Sequence, residues 1–409
     1  MGTIVVKFGG PAIATPEKIQ LVAQRVIEEK QRGLHVVVVI SSMTTIRREL
    51  RQFAADISDE PSKREMDVLI ATGTQMASAL LAIAIQERGV KATSLAGWQA
   101  GVTTNQQHRN ARVERVDTSR IVNHLEQDEI VIVAGFQGVD DKGDITTLGK
   151  GGSETTAVAL AVALGADHVD IYTNVDGIYT ADPNVVKSAR KLKELSYDEM
   201  LELSNLGAHI IHPRAVELAK KFEMPVIVRS SIVDVEGTLL KGDVEVEKNL
   251  IVRGVAYEAD VIRLTIGYDS YEAASLAEIF SILAENSINV DIIVQAVIDG
   301  VKPTISFTIA KEEFAEALRV LESSKLSLGF SFADFEVGLA KVSIVGSGMV
   351  SNPGVAARMF DRLRKEHIAV KMVSTSEIKV SVVVPQEAMV QAANALHDEF
   401  HLAERVAIG

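Results

Sequence analysis

The first 230 residues alternate between continuous apolar runs and patterns typical of amphipathic helices, and this alternation limits the folds open to the chain. Residues 4–8, 36–40 and 130–134 are apolar runs, whereas residues 17–32 and 155–164 have helical patterns. A β-branched run without polar alternation is typical of a strand that is buried on both faces of a parallel sheet. We therefore predict an α/β domain in three layers, with helices on both faces of a mostly parallel sheet.

An internal repeat organises the last part of the chain. Four apolar positions recur 80 residues further on: Phe280, Leu283, Ile288 and Val290 correspond to Phe360, Leu363, Ile368 and Val370. Each copy has the pattern of a ferredoxin-like βαββαβ module. We predict a large domain at residues 1–235, a linker at 236–260 and two modules at 261–335 and 336–409. The repeat alone leaves two interpretations of the modules open, ligand sensing and dimerisation without a ligand.

Composition excludes several classes of function. The 409 residues contain no cysteine and carry a net charge of -13. The lack of cysteine excludes disulfides, thiolate metal sites and cysteine nucleophiles. The acidic balance argues against nucleic acid or an anionic membrane as a partner. The first residues lack the apolar segment of a signal peptide, and no apolar stretch approaches the roughly 18–20 residues that span a bilayer. We therefore expect a soluble cytoplasmic protein.

Two glycine-rich segments that follow predicted strands are compatible with an anionic ligand. Lys7, Gly9 and Gly10 stand where the first strand ends, and backbone N–H groups beside a lysine suit a phosphate. Residues 146–156 place three glycines before an apolar helix, whose N-terminus is a ready anion site. An ordinary strand-to-helix turn and a capped loop are the alternatives at these positions. The second segment matches neither a P-loop nor the G-x-G-x-x-G pattern.

A third segment, residues 172–183, follows another predicted strand. In an open α/β sheet, ligands bind beyond the carboxyl ends of the strands, and Tyr179 is a candidate platform for a nucleotide base. The Asp-Gly and Asp-Pro pairs in this segment are also typical of ordinary turns. His209 and His212 do not have the spacing of a metal-ligand pair, and we find no Ser-His-Asp nucleophile arrangement in the sequence.

Ordered motifs along essentially the whole chain resemble the aspartokinases of the amino-acid kinase superfamily. The matching segments are residues 7–10, 64–67, 97–101, 133–138, 146–149, 196–203, 212–215 and 228–231. The C-terminal repeat, with residues 289–293 and 343–349, resembles a tandem pair of ACT domains. The resemblance therefore implies a three-layer αβα amino-acid kinase domain followed by two ferredoxin-like ACT modules.

The resemblance also implies an activity. It implies ATP-dependent phosphorylation of the aspartate side-chain carboxylate to an acyl phosphate, with Mg²⁺. It further implies inhibition by lysine or threonine bound to the ACT modules, and assembly into a homodimer or higher oligomer through them. Phosphoryl transfer needs positive charge and N–H donors around the transferred group more than it needs a covalent nucleophile. Lys7 and the two Gly-Gly pairs at 9–10 and 151–152 have this character.

The resemblance assigns roles to residues at the matching positions. The expected catalytic residues are Lys7 and Glu154. The expected nucleotide and phosphate ligands are Lys7, Gly9, Gly10, Gly151, Gly152, Ser153, Thr173, Asn174, Tyr179 and Asp182. The expected substrate ligands are Ser41, Thr45, Thr74, Lys150 and Glu154. The expected effector ligands are Ser275, Asn289, Val290, Asp291, Gln295, Ser347, Met349, Val350 and Thr375. No residue is assigned as a metal ligand.

The pocket motifs depart from the family pattern at positions that bear on ligand recognition. Thr74 replaces a glutamate that engages the substrate amino group, and Lys150 replaces an arginine that forks onto the substrate carboxylate. The other departures are Glu154, which also bears on the substrate, and Pro11, Ala12, Asn174 and Asn184, which bear on nucleotide and phosphate. Three interpretations stay open: an enzyme with a shifted acceptor, a non-catalytic regulatory or partner subunit, and a weak aspartokinase that tolerates these changes.

Overall fold

The computed structural model describes residues 2–205, 210–242, 251–269, 276–296, 302–350 and 352–403. The chain divides into two compact units. The first unit comprises Met1–Tyr179, Lys191–Asn205 and His209–Val246, and the second comprises Thr180–Arg190, Leu206–Ala208 and Glu247–Gly409. The short segment 180–190 therefore groups with the C-terminal part of the chain, although its neighbours in sequence belong to the first unit.

Two sheets and seven helices are described in the first unit. Its strands are β1 (Thr3–Phe8), β2 (His35–Ile40), β3 (Ala92–Leu95), β4 (Val102–Thr104), β5 (Val113–Val116), β6 (Ile130–Ala134), β7 (Gln137–Val139), β8 (Ile145–Thr147), β9 (His168–Thr173), β10 (Glu194–Ser196), β11 (Val226–Ser230) and β12 (Thr238–Lys241). Its helices are α1 (Pro16–Gln31), α2 (Thr44–Ile57), α3 (Lys63–Gln86), α4 (Ser119–Glu126), α5 (Gly152–Leu164), α6 (Tyr197–Asn205) and α7 (Pro213–Lys221).

The larger sheet has the strand order β10-β12-β11-β9-β1-β2-β6-β3. Every neighbouring pair in it is parallel except β11 and β12. A smaller sheet has the order β5-β4-β7-β8. Because β1 lies between β2 and β9, the segments that follow these three strands emerge at one edge of the large sheet.

The alternation of side chains along β1 separates the two faces of the large sheet. Ile4, Val6 and Phe8 belong to the core cluster that includes residues of α1 and α3. Since successive side chains of a strand point to opposite faces, Val5 and Lys7 point to the other face, against which α5 packs. Lys7 is therefore directed toward α5 at the carboxyl end of β1.

Helix α3 contradicts the expectation that no apolar stretch is long enough to span a bilayer. Its length and composition would allow it to cross a membrane. Of its most apolar window, 56% is buried inside the protein, and the core helix of a soluble protein passes the same test. Leu81 and Ile85 on this helix are fully buried in the first unit, so the apolar length of α3 is accounted for by core packing.

One antiparallel sheet carries the described part of the second unit. Its strands are β13 (Gly254–Gly267), β14 (Ile293–Ala296), β15 (Thr304–Ala310), β16 (Phe332–Val345), β17 (Met372–Thr375) and β18 (Lys379–Pro385), in the order β14-β15-β13-β16-β18-β17. Its helices are α8 (Leu276–Glu285), α9 (Phe314–Ser323), α10 (Lys325–Leu328), α11 (Val355–Lys365) and α12 (Met389–Glu399).

The two long central strands of this sheet are shared between two cores. Residues 261–267 of β13 pair with β15, whereas residues 339–345 of β16 pair with β18. One core cluster contains residues of α8 and α9, and the other contains residues of α11 and α12. The predicted fold class is confirmed, with a mostly parallel sheet followed by an ACT region. The domain boundaries stay predictions, although β12 and the start of β13 lie within the range predicted as linker.

A buried histidine is expected to make the stability of the second unit depend on pH. His397 is fully buried, and its ring nitrogens lie 2.9 Å from Thr180 Oγ1 and 3.3 Å from Ser188 Oγ. Burial lowers the pKa of His397. The unfolded chain therefore takes up a proton below about pH 6.5 while the folded unit does not. Urea denaturation should show a free energy of unfolding that falls below that pH, with about 1.4 kcal/mol per pH unit as this residue's maximum.

The matched variants for this prediction are His397→Gln and His367→Asn. Glutamine does not titrate, so the first variant should flatten the dependence of the unfolding free energy on pH. His367 is exposed and has a positive φ of 57°, which asparagine tolerates. The second variant should leave the dependence unchanged, and a slope that survives His397→Gln would show that another group causes it.

Candidate active site

A cavity of about 630 Å³ lies in the first unit where β1 and β2 end. Its walls come from the turn after β1, the segment that follows β2 and begins α2, helix α3, and the glycine-rich turn between β8 and α5. This is the edge of the sheet at which ligands bind in open α/β folds. The two glycine-rich segments that the sequence singled out therefore meet in one cavity.

Lys7 and Glu154 form an ion pair in this cavity. Lys7 Nζ lies 2.9 Å from Glu154 Oε1, and the two side chains are only 9% and 15% exposed. The backbone N–H of His212 donates to Glu154 Oε2 at 2.7 Å. Both oxygens of the carboxylate are therefore engaged, and Glu154 holds the Lys7 ammonium beside the first turn of α5. An acidic side chain in that turn also interacts favourably with the helix dipole.

His212 caps helix α7 and fixes the position of Glu154 from the other side. Its ring Nδ1 accepts a hydrogen bond from the backbone N–H of Arg214 at 3.3 Å. Burial lowers the pKa of His212, and the nearby carboxylate of Glu154 only partly opposes this effect. A neutral ring is required for Nδ1 to accept the hydrogen bond. Sequence reasoning considered His212 only as a possible metal ligand and did not predict this capping role.

The glycine at position 151 is required by both its backbone and its neighbour. Gly151 has a φ of 71°, in the left-handed region, and a Cβ there would lie 2.2 Å from Cβ and Cγ of His212. We expect Gly151→Ala to displace His212 or the start of α5, and with it Glu154. Misplacement of a reacting group by about 1 Å costs about 10²-fold in rate, so kcat should fall by about that factor in a steady-state assay.

Gly165, at the other end of α5, provides the control for Gly151→Ala. It also has a left-handed backbone, with a φ of 61°, but nothing lies within 4 Å of a Cβ built there. Gly165→Ala should therefore cost about 1–2 kcal/mol of stability from the backbone alone and leave kcat unchanged. Equal losses of activity in the two variants would mean that the contact with His212 has no role in catalysis.

The charged side chains around the cavity give it a surplus of positive charge. Its cationic lining residues are Lys7, Arg47, Arg51, Arg109 and Lys150, and its acidic ones are Asp67 and Glu154. Both carboxylates are engaged by donors from the protein. The cavity is therefore suited to an anionic ligand, as a phosphate and a dicarboxylate both are.

Asp67 joins three parts of the cavity wall, and sequence reasoning gave it no role. Its carboxylate accepts hydrogen bonds from the backbone N–H groups of Arg109 and Thr147, at 3.0 and 3.1 Å, and His108 Nδ1 lies 2.9 Å away. Asp67 is buried, and Arg109 has a positive φ of 67°. The sequence did contain one indication of such a role. Asp67 is a carboxylate on the apolar face of α3, three residues before the buried Ile70.

Most of the predicted phosphate and substrate residues lie together in the cavity wall. They are Lys7, Gly9, Gly10, Ser41, Thr74, Lys150, Gly151, Gly152, Ser153 and Glu154. Thr45 does not line the cavity, whereas its neighbour Thr44 does. Thr74 is buried at 1% exposure, donates its hydroxyl to the carbonyl of Ala71 at 2.9 Å and accepts a hydrogen bond from Gln137. The roles of all these residues stay predictions.

The predicted nucleotide residues beyond β9 do not line this cavity. Thr173 donates to the side chain of Asn174 at 3.0 Å, and the hydroxyl of Tyr179 donates to Asp176 at 2.9 Å. Because β9 lies next to β1, this segment begins at the same edge of the sheet as Gly9. Asp182 belongs to the second unit, where its carboxylate accepts a hydrogen bond from Tyr257 at 2.9 Å.

The predicted effector residues belong to the second unit, and Ser275 among them lies outside the described residues. The others lie around β14, after β16 and at the end of β17: Asn289, Val290, Asp291, Gln295, Ser347, Met349, Val350 and Thr375. Asp291 is paired with the buried Lys341, which also lies 2.7 Å from Glu258. Burial opposes the charged form, but the two carboxylates raise the pKa of Lys341. Effector binding by these residues stays a prediction.

Comparisons with known proteins place the chain among characterised families. Residues 2–230 match the model of the amino acid kinase family, and residues 342–400 match that of an ACT domain. An aspartokinase of Geobacillus stearothermophilus is 54% identical over 408 residues, which are 100% of this chain and 99% of that protein. Aspartokinase 2 of Bacillus subtilis is also 54% identical, over 404 residues and 99% of both chains.

A solved structure has the same arrangement of elements. E. coli aspartokinase III in complex with aspartate and ADP aligns with a TM-score of 0.79 at 25% identity, covering 97% of this chain and 99% of that one. The same enzyme in complex with lysine and aspartate aligns with a TM-score of 0.79 at 26% identity, with the same coverage. The matches span 99% of each of these relatives, and they confirm the resemblance that the motifs indicated. The chain therefore belongs to the aspartokinases of the amino acid kinase family, with a C-terminal ACT region.

Proposed function

We propose that this protein transfers the γ-phosphoryl group of ATP to a carboxylate of aspartate or an aspartate-like acid, and that the product is an acyl phosphate. The observation that carries the proposal is the Lys7–Glu154 pair, held at the first turn of α5 in a cavity with surplus positive charge. The relatives named as aspartokinases, and the E. coli enzyme in complex with aspartate and ADP, support the same reaction.

The proposed step needs no covalent intermediate. A carboxylate oxygen of the acid attacks the γ-phosphorus, the bond from that phosphorus to the β,γ-bridging oxygen breaks, and ADP leaves. No proton moves, because a carboxylate is already ionised at neutral pH. The task of the protein is to position the two anions and to neutralise the charge that builds up between them.

Lys7 is the group best placed to neutralise that charge. Its ammonium is buried beside the turn of Gly9 and Gly10, and Glu154 fixes its position. Glycines at 151 and 152 bring the backbone of the second turn to the same cavity. We propose that these groups surround the transferred phosphoryl group and that Lys150 engages a carboxylate of the acceptor. Lys150 offers a point charge there and lacks the planar fork of an arginine.

We propose that Mg²⁺ binds together with ATP. Magnesium in such sites binds one or two carboxylates, the substrate phosphates and several waters. The carboxylates of Asp67 and Glu154 already accept hydrogen bonds from the protein, and no set of three or more acidic or histidine side chains that could hold a metal occurs in the described ranges. These residues do not fit a resident magnesium site, so we propose that the ion is held by the phosphates.

The remaining ligands and the cellular setting are part of the same proposal. We propose that the segment of Thr173, Asn174 and Tyr179 contacts the nucleotide from the β9 side of β1. The complex of E. coli aspartokinase III with lysine supports lysine as an effector. We propose that lysine or threonine binds the ACT region, as the resemblance implies. Assembly into a homodimer or higher oligomer through the ACT modules, and a cytoplasmic location, complete the proposal.

A non-catalytic regulatory or partner subunit is the second candidate function. Thr74 favours it, because this buried residue carries no charge for a substrate ammonium and its hydroxyl is engaged by Ala71 and Gln137. Such a subunit would bind an amino acid in its ACT region and would not bind ATP. The two candidates therefore differ in nucleotide binding, which calorimetry measures directly.

The proposed function is tested by trapping the product. The purified protein is incubated with ATP, Mg²⁺, aspartate and hydroxylamine, which converts an acyl phosphate to a hydroxamate. We expect hydroxamate and ADP to form in equal amounts. The absence of both products with aspartate and with related dicarboxylic and tricarboxylic acids would overturn the proposal. In that case, calorimetric binding of an amino acid without binding of ATP would establish the regulatory alternative.

A further inference from the structure

Helix α2 presents two arginines to the cavity that have no partner among the described residues. Arg47 and Arg51 are four residues apart, so they lie on the same face of the helix, and both line the cavity. Neither side chain forms a hydrogen bond or an ion pair with any residue of the described ranges. Arg48 is exposed on the same helix, as Arg47 and Arg51 are, but it does not line the cavity. The two arginines are therefore free to bind a ligand.

Arg47, Arg51 and Thr74 line the same cavity, and α2 packs against α3 next to position 74. A Cβ on Gly73 would lie 3.3 Å from Leu50 Cδ1, so the middle of α2 covers the turn of α3 that contains Thr74. The start of α2 instead contacts the phosphate turn, because a Cβ on Gly10 would lie 3.0 Å from Thr44 Oγ1. At 1.5 Å per residue, Arg51 lies about 10 Å further along the helix than Thr44.

The strand order separates α2 from the segment proposed to contact the nucleotide. The large sheet runs β9-β1-β2 at this point. Helix α2 follows β2, whereas Thr173 and Asn174 end or follow β9, so the two lie on opposite sides of Lys7 and the end of β1. Arg47 and Arg51 are therefore on the acceptor side of the phosphate turn.

The charges on this side do not suit an ammonium group. Thr74 is neutral and its hydroxyl is engaged inside the protein. The carboxylates of Asp67 and Glu154 are engaged as well. Two guanidinium groups four residues apart repel each other and would repel a third cation, and an anion relieves this repulsion. The α-ammonium of aspartate would find no negative partner here and two positive ones.

We infer that the acid bound in this cavity carries a third carboxylate where aspartate carries its ammonium group, and that Arg47 and Arg51 bind it. Arginine suits this task because its planar donors match the two oxygens of a carboxylate. The inference rests on the proposed function and names the class of acceptor, a tricarboxylic acid. The transfer is unchanged: one carboxylate oxygen bonds to the γ-phosphorus, and the bond to ADP breaks.

A panel of three acids tests the inference. Propane-1,2,3-tricarboxylate is aspartate with the ammonium replaced by CH₂COO⁻, and succinate carries neither group. We expect the kcat/KM for the tricarboxylate, measured by ADP release and hydroxamate trapping, to exceed that for aspartate by about 10-fold or more. A kcat/KM for aspartate above those of both other acids would overturn the inference and leave the proposed function intact.

Three single variants test the role of the arginines. Arg47→Gln and Arg51→Gln should each raise the KM for the tricarboxylate by about 10- to 100-fold, the loss of one charge-assisted contact. Each should raise the KM for succinate by a smaller factor, because succinate lacks the third carboxylate. Arg48→Gln, on the same helix and outside the cavity, should leave all these values unchanged. Equal effects of the three variants would overturn the inference.

A binding measurement distinguishes a failure of the inference from a failure of the proposed function. Calorimetry of the tricarboxylate with the full chain needs no turnover. If no acid is phosphorylated, the proposed function fails. Binding that Arg51→Gln weakens and Arg48→Gln does not would then still support the anion site. Tricarboxylate binding that is absent, or equal in the two variants, would overturn the site itself.

Discussion

Substitution of Lys7 with methionine is expected to lower kcat by about 10²–10³-fold. Removal of one group that stabilises charge in a transition state typically costs about this factor. Lys7 is directed into the cavity from the end of β1, and Glu154 holds its ammonium at 2.9 Å. Methionine keeps the length of the aliphatic chain without the charge, so the effect should appear in kcat while the protein remains folded. Steady-state ADP release, together with a thermal unfolding scan, measures both properties.

Lys142→Met is the matched control for this prediction. Lys142 is an exposed lysine in the turn between β7 and β8, outside the cavity wall. Its substitution should change neither kcat nor KM. If Lys7→Met kept more than about a third of the wild-type kcat, Lys7 would have no part in the transfer, and the cavity would have to be assigned another role.

Introduction of a glutamate at position 74 is expected to raise the kcat/KM for aspartate by about 10- to 100-fold. A hydrogen bond to a charged group contributes about 1.5–3 kcal/mol, and the resemblance to aspartokinases implies a glutamate at this position in the family pattern. Thr74 lies in the cavity wall and leaves an ammonium without a partner. The same variant should lower the kcat/KM for a tricarboxylate, because like charges would then face each other.

Thr74→Gln separates the charge from the size of the new side chain. Glutamine has nearly the same volume as glutamate, and it meets the same neighbours, Gln137 and Ala71. We expect no gain for aspartate with this variant. A gain of equal size with glutamine and glutamate would show that shape, and not the missing charge, limits the recognition of aspartate.

The fold could be predicted from the sequence because its signals are local. The apolar run at 36–40 has no polar alternation, and β2 is indeed buried along 36–40 between β1 and β6. The 80-residue repeat likewise indicated two similar modules. It could not indicate that β13 and β16 each run through both halves of one sheet, since strand pairing depends on contacts that are remote in sequence.

The candidate site was only partly predictable from the sequence, because several of its contacts join residues that are remote in sequence. Glycine-rich turns after strands pointed to Gly9, Gly10 and the turn at 149–152, and these meet in the cavity. The roles of Asp67 and His212 depend on partners 80 and 58 residues away. The charged helix after β2 was visible as a sequence, but which of its arginines enter the cavity follows from how α2 packs on α3.

The fate of a carboxylate oxygen tests the proposed function most directly. The protein is given ATP, Mg²⁺, hydroxylamine and an acid, aspartate or the tricarboxylate, whose carboxylates carry ¹⁸O. Attack of the carboxylate on the γ-phosphorus places a labelled oxygen between carbon and phosphorus, and hydroxylamine then releases it on the inorganic phosphate. We predict one ¹⁸O in each phosphate released and one hydroxamate for each ADP. Unlabelled phosphate formed in step with ADP would show hydrolysis of ATP by water and would contradict phosphoryl transfer to a carboxylate.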